Sequence, residues 1–488
     1  MIPLPASRRP HLFLGVLSLI ALWLFVQNSY HPGSALLKPS FPYSHPEEPN
    51  EYAGLEAEDL GVRSRVERLR SVCQGENAFE REYGRTNIRM SRAYEGSHHR
   101  IRQFLQKALR GEPLSISVIG GSVTKGHQVQ KDEIWFHKFG EWFTDLIGDG
   151  VEINYVNGAA PATGSDYFSF CFPLHIPLES DLIFIELAVN DEGILEHVEN
   201  MENLLRGLLD LPNRPAVILT EAVAFSNGGM GGGGGRMHLP VAQYFDVPVI
   251  NQRHPLANHI ARYPQLIRPY FSQDWWGNPD MRHMNARGHR DLGMLAASLI
   301  QDAACIMLSE PTFHVSQPPT VQSEQYGILP RLNVLGGWNP NLEAVVPHFN
   351  PTCLSTRARQ PQFNLTPSWN DGRWEYWVHP EHRDKPYLVA REPGATVKFK
   401  LETNVGVVKL YSLKSKSFGL GAIECWADDE RDKAVVVEGY WTNEPNIGRF
   451  ATIRSDLKAG VHTITCELLE KTSDPEGGHE FRLISIMR

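Results

Sequence analysis

The stretch from about residue 115 to residue 302 alternates short apolar runs with segments of helical periodicity. The run at 182–187, LIFIEL, is apolar at nearly every position, which is typical of a strand covered on both faces. Four further runs predict strands at 115–119, 153–156, 217–220 and 247–250. Strands that alternate with helices indicate an α/β unit, in which a parallel sheet carries helices on both faces.

Helical segments lie at both ends of this unit. Residues 61–110 carry apolar side chains at helical spacing and predict a helical lead-in, and residues from 286 to about 301 predict the closing helix. We therefore expect an α/β domain over 61–310. The glycine-rich run 228–235 lacks the ending of a phosphate-binding loop, so we expect a flexible surface loop there.

The pattern changes after about residue 310. Residues 311–385 are rich in Pro, Asn and aromatic side chains without clear period, and they predict an irregular connection. Beyond residue 395 the sequence predicts only strands, at 396–401, 407–413, 422–426, 434–438, 449–453, 461–468 and 481–486. Together they indicate a small all-β sandwich domain over 386–488.

The N-terminal segment bears on the compartment. An apolar run at 12–26 follows Arg8 and Arg9, an order that keeps the N-terminus cytoplasmic. We expect residues 1–27 to form a cytoplasmic tip and an uncleaved signal anchor, followed by a Pro-rich stalk at 28–60. The protein is then a single-pass type II membrane protein with a lumenal domain in the Golgi or endoplasmic reticulum. A cleaved signal peptide and secretion remain the alternative.

Two features fit the lumenal side of a membrane. Asn364-Leu365-Thr366 is a glycosylation sequon, which predicts a modified Asn364. Cys425 and Cys466 both lie in predicted strands, and an oxidising compartment permits a disulfide between them, although six cysteines allow other pairings.

Composition excludes several classes of protein. Hydrophobic residues at 42% and charged residues at 21% exclude a disordered chain. A net charge of -9 without a basic stripe argues against nucleic acid as a partner. A mean hydropathy of -0.30 excludes a polytopic membrane protein.

Two short sequences carry candidate chemistry. Gly120-Gly121-Ser122 follows a predicted strand, and ligand sites of open α/β sheets lie at that end of a strand. Asp280 and His283 precede the closing helix. Residues three apart in a turn or helix start share one side, so the aspartate can orient the imidazole. An incidental serine and a surface Asp/His pair remain the alternatives.

Two further loops follow predicted strands. Asn190 comes after the LIFIEL strand and can offer its amide to a site, although loop capping by Asn190 or Asp191 is the alternative. Gly158 and Gly164 follow the strand at 153–156. A glycine allows backbone N–H groups to approach a substrate closely, but both can be ordinary loop glycines.

Together these sequences resemble the four blocks of the SGNH (GDSL-type) hydrolase superfamily. The resemblance implies that Ser122 is the nucleophile, His283 the base and Asp280 the acid that orients it. It also implies an oxyanion hole formed by the N–H groups of Ser122 and Gly164 and the side-chain amide of Asn190.

Two details of the resemblance differ from the family pattern. Gly121 stands where the family has aspartate, a position that supports the loop, so we expect function to survive. The spacing before Gly164 is longer than usual, which leaves Gly158 as the second choice for the glycine. The family fold is a flavodoxin-like parallel sheet, and the family needs neither a cofactor nor a metal.

The resemblance implies a serine esterase of the secretory pathway that acts on O-acyl, typically O-acetyl, esters of carbohydrate. Two alternatives remain: a polysaccharide O-acetyltransferase with the same triad, and a catalytically silent glycan-binding or assembly protein. The overall layout is similar to fungal capsule-associated-type proteins. The implied partners are a glycan or polysaccharide and, through the N-terminal helix, a membrane; the oligomeric state stays open.

Overall fold

The computed structural model describes residues 60–226, 229–274, 276–311, 313–315, 329–332, 334, 350–380, 382–444 and 446–488. Every described residue lies in one compact unit, Gly54–Arg488. The predicted anchor lies outside the described residues, and so does the predicted stalk except for Leu60.

The first part of the described chain is built of helices and short strands. Its helices are α1 (Leu60–Gln74), α2 (Ala78–Tyr83), α3 (Arg85–Ser91), α4 (His99–Arg110), α5 (Ser122–Lys125), α6 (Trp135–Ile147), α7 (Ser165–Cys171), α8 (Leu195–Leu209), α9 (Gly235–Tyr244), α10 (Arg253–Arg262) and α11 (Ala286–Ser309). Its strands are β1 (Arg92–Tyr94), β2 (Leu114–Gly120), β3 (Ile153–Asn157), β4 (Leu182–Glu186), β5 (Ala216–Glu221), β6 (Val249–Asn251), β7 (Phe271–Gln273) and β8 (Pro279–Met284).

Five of these strands form the predicted parallel sheet, in the spatial order β3-β2-β4-β5-β6. This is the flavodoxin-like order. From β2, the strand β3 is added on one side, and β4, β5 and β6 are added on the other, so the order of addition reverses between β2 and β4. The short strand β1 extends the sheet beyond β6 in the antiparallel direction, which the sequence does not predict. The predicted α/β class is confirmed.

Helices cover both faces of the sheet, and alternate residues of each strand face opposite sides. Leu182 and Phe184 of β4 pack in one core cluster with α1, α4, α6 and α11. Ile183 and Ile185 pack in a second cluster with α7, α8 and α9. Burial on both faces explains why β4 is apolar at nearly every position.

The second part of the chain is an antiparallel β sandwich. Its strands are β9 (Cys353–Ser355), β10 (Trp369–Asn370), β11 (Trp374–His379), β12 (His382–Ala390), β13 (Thr396–Thr403), β14 (Val408–Lys414), β15 (Ala422–Ala427), β16 (Val435–Glu438), β17 (Ile447–Arg454), β18 (Gly460–Leu468) and β19 (Phe481–Met487). One sheet has the order β10-β13-β18-β15-β16. The other has the order β11-β12-β19-β14-β17, with β9 also paired to β19. The predicted C-terminal sandwich is confirmed.

The sandwich begins earlier in the chain than predicted. Strands β9, β10, β11 and the start of β12 lie within 311–385, so the prediction of an irregular connection is wrong for these residues. The reason is visible in β11, where most side chains are exposed or half-buried, so that no apolar period marks the strand.

The sandwich packs directly on the α/β domain. Tyr411, Leu413 and Ile484 of the sandwich belong to the same core cluster as residues of α7 and α8. A disulfide joins Cys171, the last residue of α7, to Cys353 of β9, with an S–S distance of 2.10 Å.

Two further disulfides complete the set. Cys425 and Cys466 are paired within the sandwich, on the neighbouring strands β15 and β18. Cys73 and Cys305 join α1 of the lead-in to α11. By length and composition α11 is also able to cross a membrane, but 67% of its most apolar window is buried inside the protein, as in a core helix.

The glycine-rich run is packed more tightly than predicted in its second half. Gly234 lies against Asp191 and Gly235 against Glu221, and a Cβ atom at either position would approach those residues to 2.4 and 2.8 Å. The prediction of a flexible surface loop is therefore wrong for these two positions. Glycine is required there because neighbouring side chains occupy the space of a Cβ atom.

Candidate active site

Ser122 directly follows the sharp turn that joins β2 to α5. A Cβ atom on Gly120 would lie 2.4 Å from Thr124 Oγ1, and one on Gly121 would lie 2.1 Å from Asn190 Nδ2. Both glycines are therefore required for close approach rather than for an unusual backbone angle. Ser122 is the first residue of α5, so its N–H has no acceptor within the helix.

The hairpin of β7 and β8 brings a histidine and an aspartate to this serine. Ser122 Oγ lies 2.8 Å from His283 Nε2, and His283 Nδ1 lies 2.6 Å from Asp280 Oδ2. The other carboxylate oxygen of Asp280 accepts the backbone N–H groups of Arg282 and His283, at 3.0 and 3.3 Å. The three predicted residues therefore form one hydrogen-bonded chain.

The backbone of this segment differs from the prediction. Asp280 and His283 lie in the strand β8, not in a turn or helix start. In a regular strand, residues three apart face opposite sides. They meet because the Asp280 carboxylate folds back over the chain onto the N–H groups that follow it, so the helical argument for their proximity is wrong.

The protonation of the pair suits proton transfer. Burial lowers the pKa of His283, although its hydrogen bond with Asp280 acts in the opposite direction. Burial would raise the pKa of Asp280, but the hydrogen bonds from His283 and the Arg282 N–H outweigh it, and the net pKa is lowered. At neutral pH the aspartate is therefore ionised and the imidazole is neutral, as a general base requires.

The imidazole of His127 lies beside His283, a neighbour that sequence reasoning missed. The two ring centroids are 4.3 Å apart, and His127 is exposed. The ligand atoms of His127, Asp280 and His283 lie within 4.8 Å of one another, a spacing that a metal ion can use. Both nitrogens of His283 already contact Ser122 and Asp280, so a metal there would have to displace one of them.

The side-chain amide of Asn190 joins the Ser122 turn to the segment that precedes Gly164. Asn190 Nδ2 lies against Gly121 and donates to Thr163 O at 2.6 Å. Gly164 caps the N-terminus of α7, and its N–H donates to no described residue. The second choice is unsuitable, because the Gly158 N–H donates to Val118 O at 2.9 Å.

A buried carboxylate holds the Gly164 segment in place. Asp191 Oδ1 accepts the Ser165 N–H at 2.8 Å, and its Oδ2 lies 2.8 Å from His238 Nε2. Burial would raise the pKa of Asp191, but the hydrogen bonds from His238 and Ser165 lower it overall. Sequence reasoning missed His238, whose only sequence signal is its place just after the glycine-rich run.

A second buried carboxylate lies under the nucleophile turn. Thr124 Oγ1 donates to Glu186 Oε2 at 2.9 Å and accepts the Trp135 indole N–H at 3.1 Å. Burial raises the pKa of Glu186 to about 8, so the side chain is mostly protonated at neutral pH. The Glu186 side chain, at the end of β4, thus binds α5 through Thr124.

These groups lie at the carboxyl ends of the parallel strands. Ser122 follows β2 and Asn190 follows β4, and the strand order reverses between these two neighbours. In open α/β sheets, ligands bind at the carboxyl ends of the strands at such a reversal. The site therefore lies where the fold provides a crevice.

No family model matches the chain. No curated protein matches its sequence. Two solved structures are similar along most of the chain: a two-domain esterase active on acetylated mannans, alone and co-crystallised with mannopentaose. Sequence identity is 18% in both. The alignments cover 82% of this chain and 97% of theirs, with TM-scores of 0.61 for the free esterase and 0.62 for the complex.

This likeness establishes the fold. This chain also has two domains, an α/β unit followed by a β sandwich, and the likeness extends over 97% of the two-domain esterase. At 18% identity the activity does not transfer with the fold, so function is argued from the site itself.

Proposed function

We propose that this protein is a serine esterase that removes O-acetyl groups from carbohydrate through a Ser122–His283–Asp280 triad. The observation that carries the proposal is the continuous hydrogen-bonded chain from Ser122 Oγ to the Asp280 carboxylate. The triad arrangement is recognised by geometry and roles rather than by sequence order. The fold shared with acetylmannan esterases supports an O-acetylated glycan as substrate.

The first step is attack of Ser122 on the ester carbonyl. His283 Nε2 accepts the hydroxyl proton, and Asp280 holds the ring in the tautomer that leaves Nε2 free to accept. The resulting imidazolium then donates its proton to the departing sugar oxygen, which leaves an acetyl group on Ser122. Water attacks this acyl-enzyme in the second step, again with His283 as base, and acetate is released.

The oxyanion of each tetrahedral intermediate is stabilised by fixed donors. We assign them as the N–H groups of Ser122 and Gly164 and the amide of Asn190. Each donor is fixed before reaction: two lie at helix N-termini, and the third is held by Thr163 O. Removal of one such donor from a serine hydrolase typically costs about 10²–10³ in kcat.

The compartment is part of the proposal. We infer a type II membrane protein whose enzyme domain lies in the lumen of the secretory pathway. Three disulfides among the described cysteines favour an oxidising compartment. Asn364 is exposed, which leaves its sequon open to glycosylation.

The same acyl-enzyme can pass acetyl to a sugar hydroxyl instead of water, which makes a polysaccharide O-acetyltransferase the second candidate. The predicted N-terminal anchor favours it, because it would hold the enzyme beside polysaccharide that is being made. The two functions differ only in the acceptor that attacks the acetylated Ser122.

The test is acetyl release from 4-nitrophenyl acetate by the full chain, produced through a secretory route. We expect turnover by the wild type and a loss of at least about 10³-fold in Ser122→Ala. Ser309→Ala, an exposed serine at the end of α11, is the matched control and should keep full activity. Equal rates in wild type and Ser122→Ala, here and on acetylated polysaccharide, would refute the esterase. Acetyl transfer to an added oligosaccharide would favour the transferase.

A further inference from the structure

A cavity of about 230 Å³ lies beside the candidate active site, between the α/β domain and the sandwich. The loop after β3, with Thr163, forms one wall. Arg357 and Arg359, in the turn after β9, and Tyr411 of β14 line the other. Thr163 O accepts the hydrogen bond from Asn190 Nδ2, so this cavity shares a wall with the proposed oxyanion hole.

The charge of this cavity is positive although the protein is acidic. Lys125, Arg357 and Arg359 line it, and none of the three forms an ion pair with a carboxylate among the described residues. The whole chain carries a net charge of -9. A cleft lined by charges of one sign concentrates ligands of the opposite sign. We call this space the cationic cavity.

The remaining polar groups of the cationic cavity are neutral. The Tyr167 hydroxyl lies 2.8 Å from His175 Nε2. Burial lowers the pKa of His175, and the nearby Arg359 and Lys125 act in the same direction, so that its pKa is about 4. Above that pH, His175 adds no positive charge to the cavity.

The fold fixes the cationic cavity relative to the active site. The helix α7 begins next to Gly164 and ends at Cys171, which is joined by a disulfide to Cys353. Arg357 and Arg359 follow Cys353 by four and six residues. The helix α7 and the Cys171–Cys353 disulfide therefore connect the two arginines to the segment that carries Gly164.

We propose that the cationic cavity binds the carboxylate of a uronic acid residue next to the acetylated sugar, so that the preferred substrate is an acidic O-acetylated polysaccharide. The proposal rests on the esterase function proposed above. Arginine is suited to this role because its planar fork donates two parallel hydrogen bonds to a carboxylate. A volume below the 300–1,000 Å³ that is typical of sites for drug-sized ligands suits one sugar residue.

The test compares two forms of one polymer with the full-length protein. O-acetylated polygalacturonate carries free carboxylates, and methyl esterification removes their charge without changing the backbone. We expect kcat/KM for acetate release to be about tenfold higher on the free acid, and this preference to fall as salt is added. The Arg357→Gln/Arg359→Gln double variant should lose most of the preference. Arg357→Lys/Arg359→Lys should keep part of it.

The control is Arg89→Gln, an exposed arginine of α3 outside the cationic cavity, which should keep the wild-type preference. Thermal unfolding checks that the double variant is folded. Calorimetric binding of digalacturonate, measured on wild type and double variant, tests the cationic cavity even if no acetate is released. Failure of the esterase proposal would instead appear as absent turnover on 4-nitrophenyl acetate as well.

Three results would overturn the inference. The first is equal rates on both polymer forms, and the second is an unchanged preference in the double variant. The third is inhibition by inorganic phosphate as strong as that by digalacturonate, which would show a general anion site rather than a uronate site. Tighter digalacturonate binding to the wild type than to the double variant, without a comparable effect of phosphate, would support it.

Discussion

Replacement of Asp191 by asparagine tests two roles of this side chain separately: its contribution to stability, and its role in positioning Gly164. The side chain is fully buried, and its two carboxylate oxygens contact the Ser165 N–H and His238 Nε2, each at 2.8 Å. Asparagine has the same shape and can still accept the Ser165 N–H. It places an amide NH₂ or an uncharged oxygen against the imidazole, so the charged contact with His238 is lost.

The expected loss of stability follows from this geometry. Hydrogen bonds to charged groups contribute about 1.5–3 kcal/mol, and leaving a buried polar group without its partner costs about 1–3 kcal/mol. Because asparagine keeps the contact with Ser165 and loses the carboxylate contact with His238, we expect the free energy of unfolding to fall by about 3 kcal/mol. Denaturant titration of the variant against the wild type measures this change.

The expected loss of activity has a different origin. A Cβ atom on Gly164 would lie only 2.2 Å from Asp191 Oδ1, so this carboxylate defines where the Gly164 backbone can lie. If Asp191 moves, the N–H of Gly164, which we propose as an oxyanion donor, moves with it. We expect kcat on 4-nitrophenyl acetate to fall by about 10², with little change in KM.

The chain offers a matched control beyond the other end of β4. Asp181 is also buried and accepts the Ser115 N–H at 2.9 Å, but it precedes β4, at the opposite edge of the sheet from the site. Asp181→Asn should lower stability without lowering kcat. If Asp191→Asn loses stability but keeps kcat within about threefold, the proposed role of Asp191 in positioning Gly164 is refuted.

Three further predictions concern the same edge of the sheet. Gly121→Ala should lower kcat by about 10², because the new methyl group displaces the Asn190 amide; unchanged kinetics would show that this amide does not bind the oxyanion. The acid limb of kcat/KM against pH should lie below the usual histidine value of about 6.5, because the pKa of His283 is lowered; a limb above 7 would contradict this. Glu186 is stabilised in its protonated form, so the wild type should lose stability from about pH 4.5 to 8. Glu186→Gln should show a flatter curve in chemical unfolding, and parallel curves would disprove the assignment.

The elements that the sequence predicts best are those whose pattern follows from burial. The strand β4 is buried on both faces, and β13 alternates buried with more exposed side chains, so each leaves a clear signal. The strand β11 is mostly exposed on a sheet edge, and it leaves none. Exposed strands are recognised only through their pairing, which no local pattern encodes.

The site divides along the same lines. Ser122, Asp280 and His283 are predictable because each lies at a motif of recognisable spacing. His238 and Gly234 are not, because they reach Asp191 only through the tertiary fold, from more than forty residues away in sequence. Proximity without local signal is typical of the residues that support a catalytic group.

The core shared by the sandwich and the helices α7 and α8 has a consequence for how this protein could have diversified. A binding module on a flexible linker can be lost, duplicated or exchanged without harm to its enzyme. Here Tyr411 and Ile484 fill the apolar space against which α7 rests, and Cys353 is bonded to the end of that helix. Removing residues 350–488 would expose the underside of the helix that begins at the active site. The two domains are therefore expected to be inherited together. New substrate specificity would arise from point substitutions at the interface between them rather than from domain shuffling.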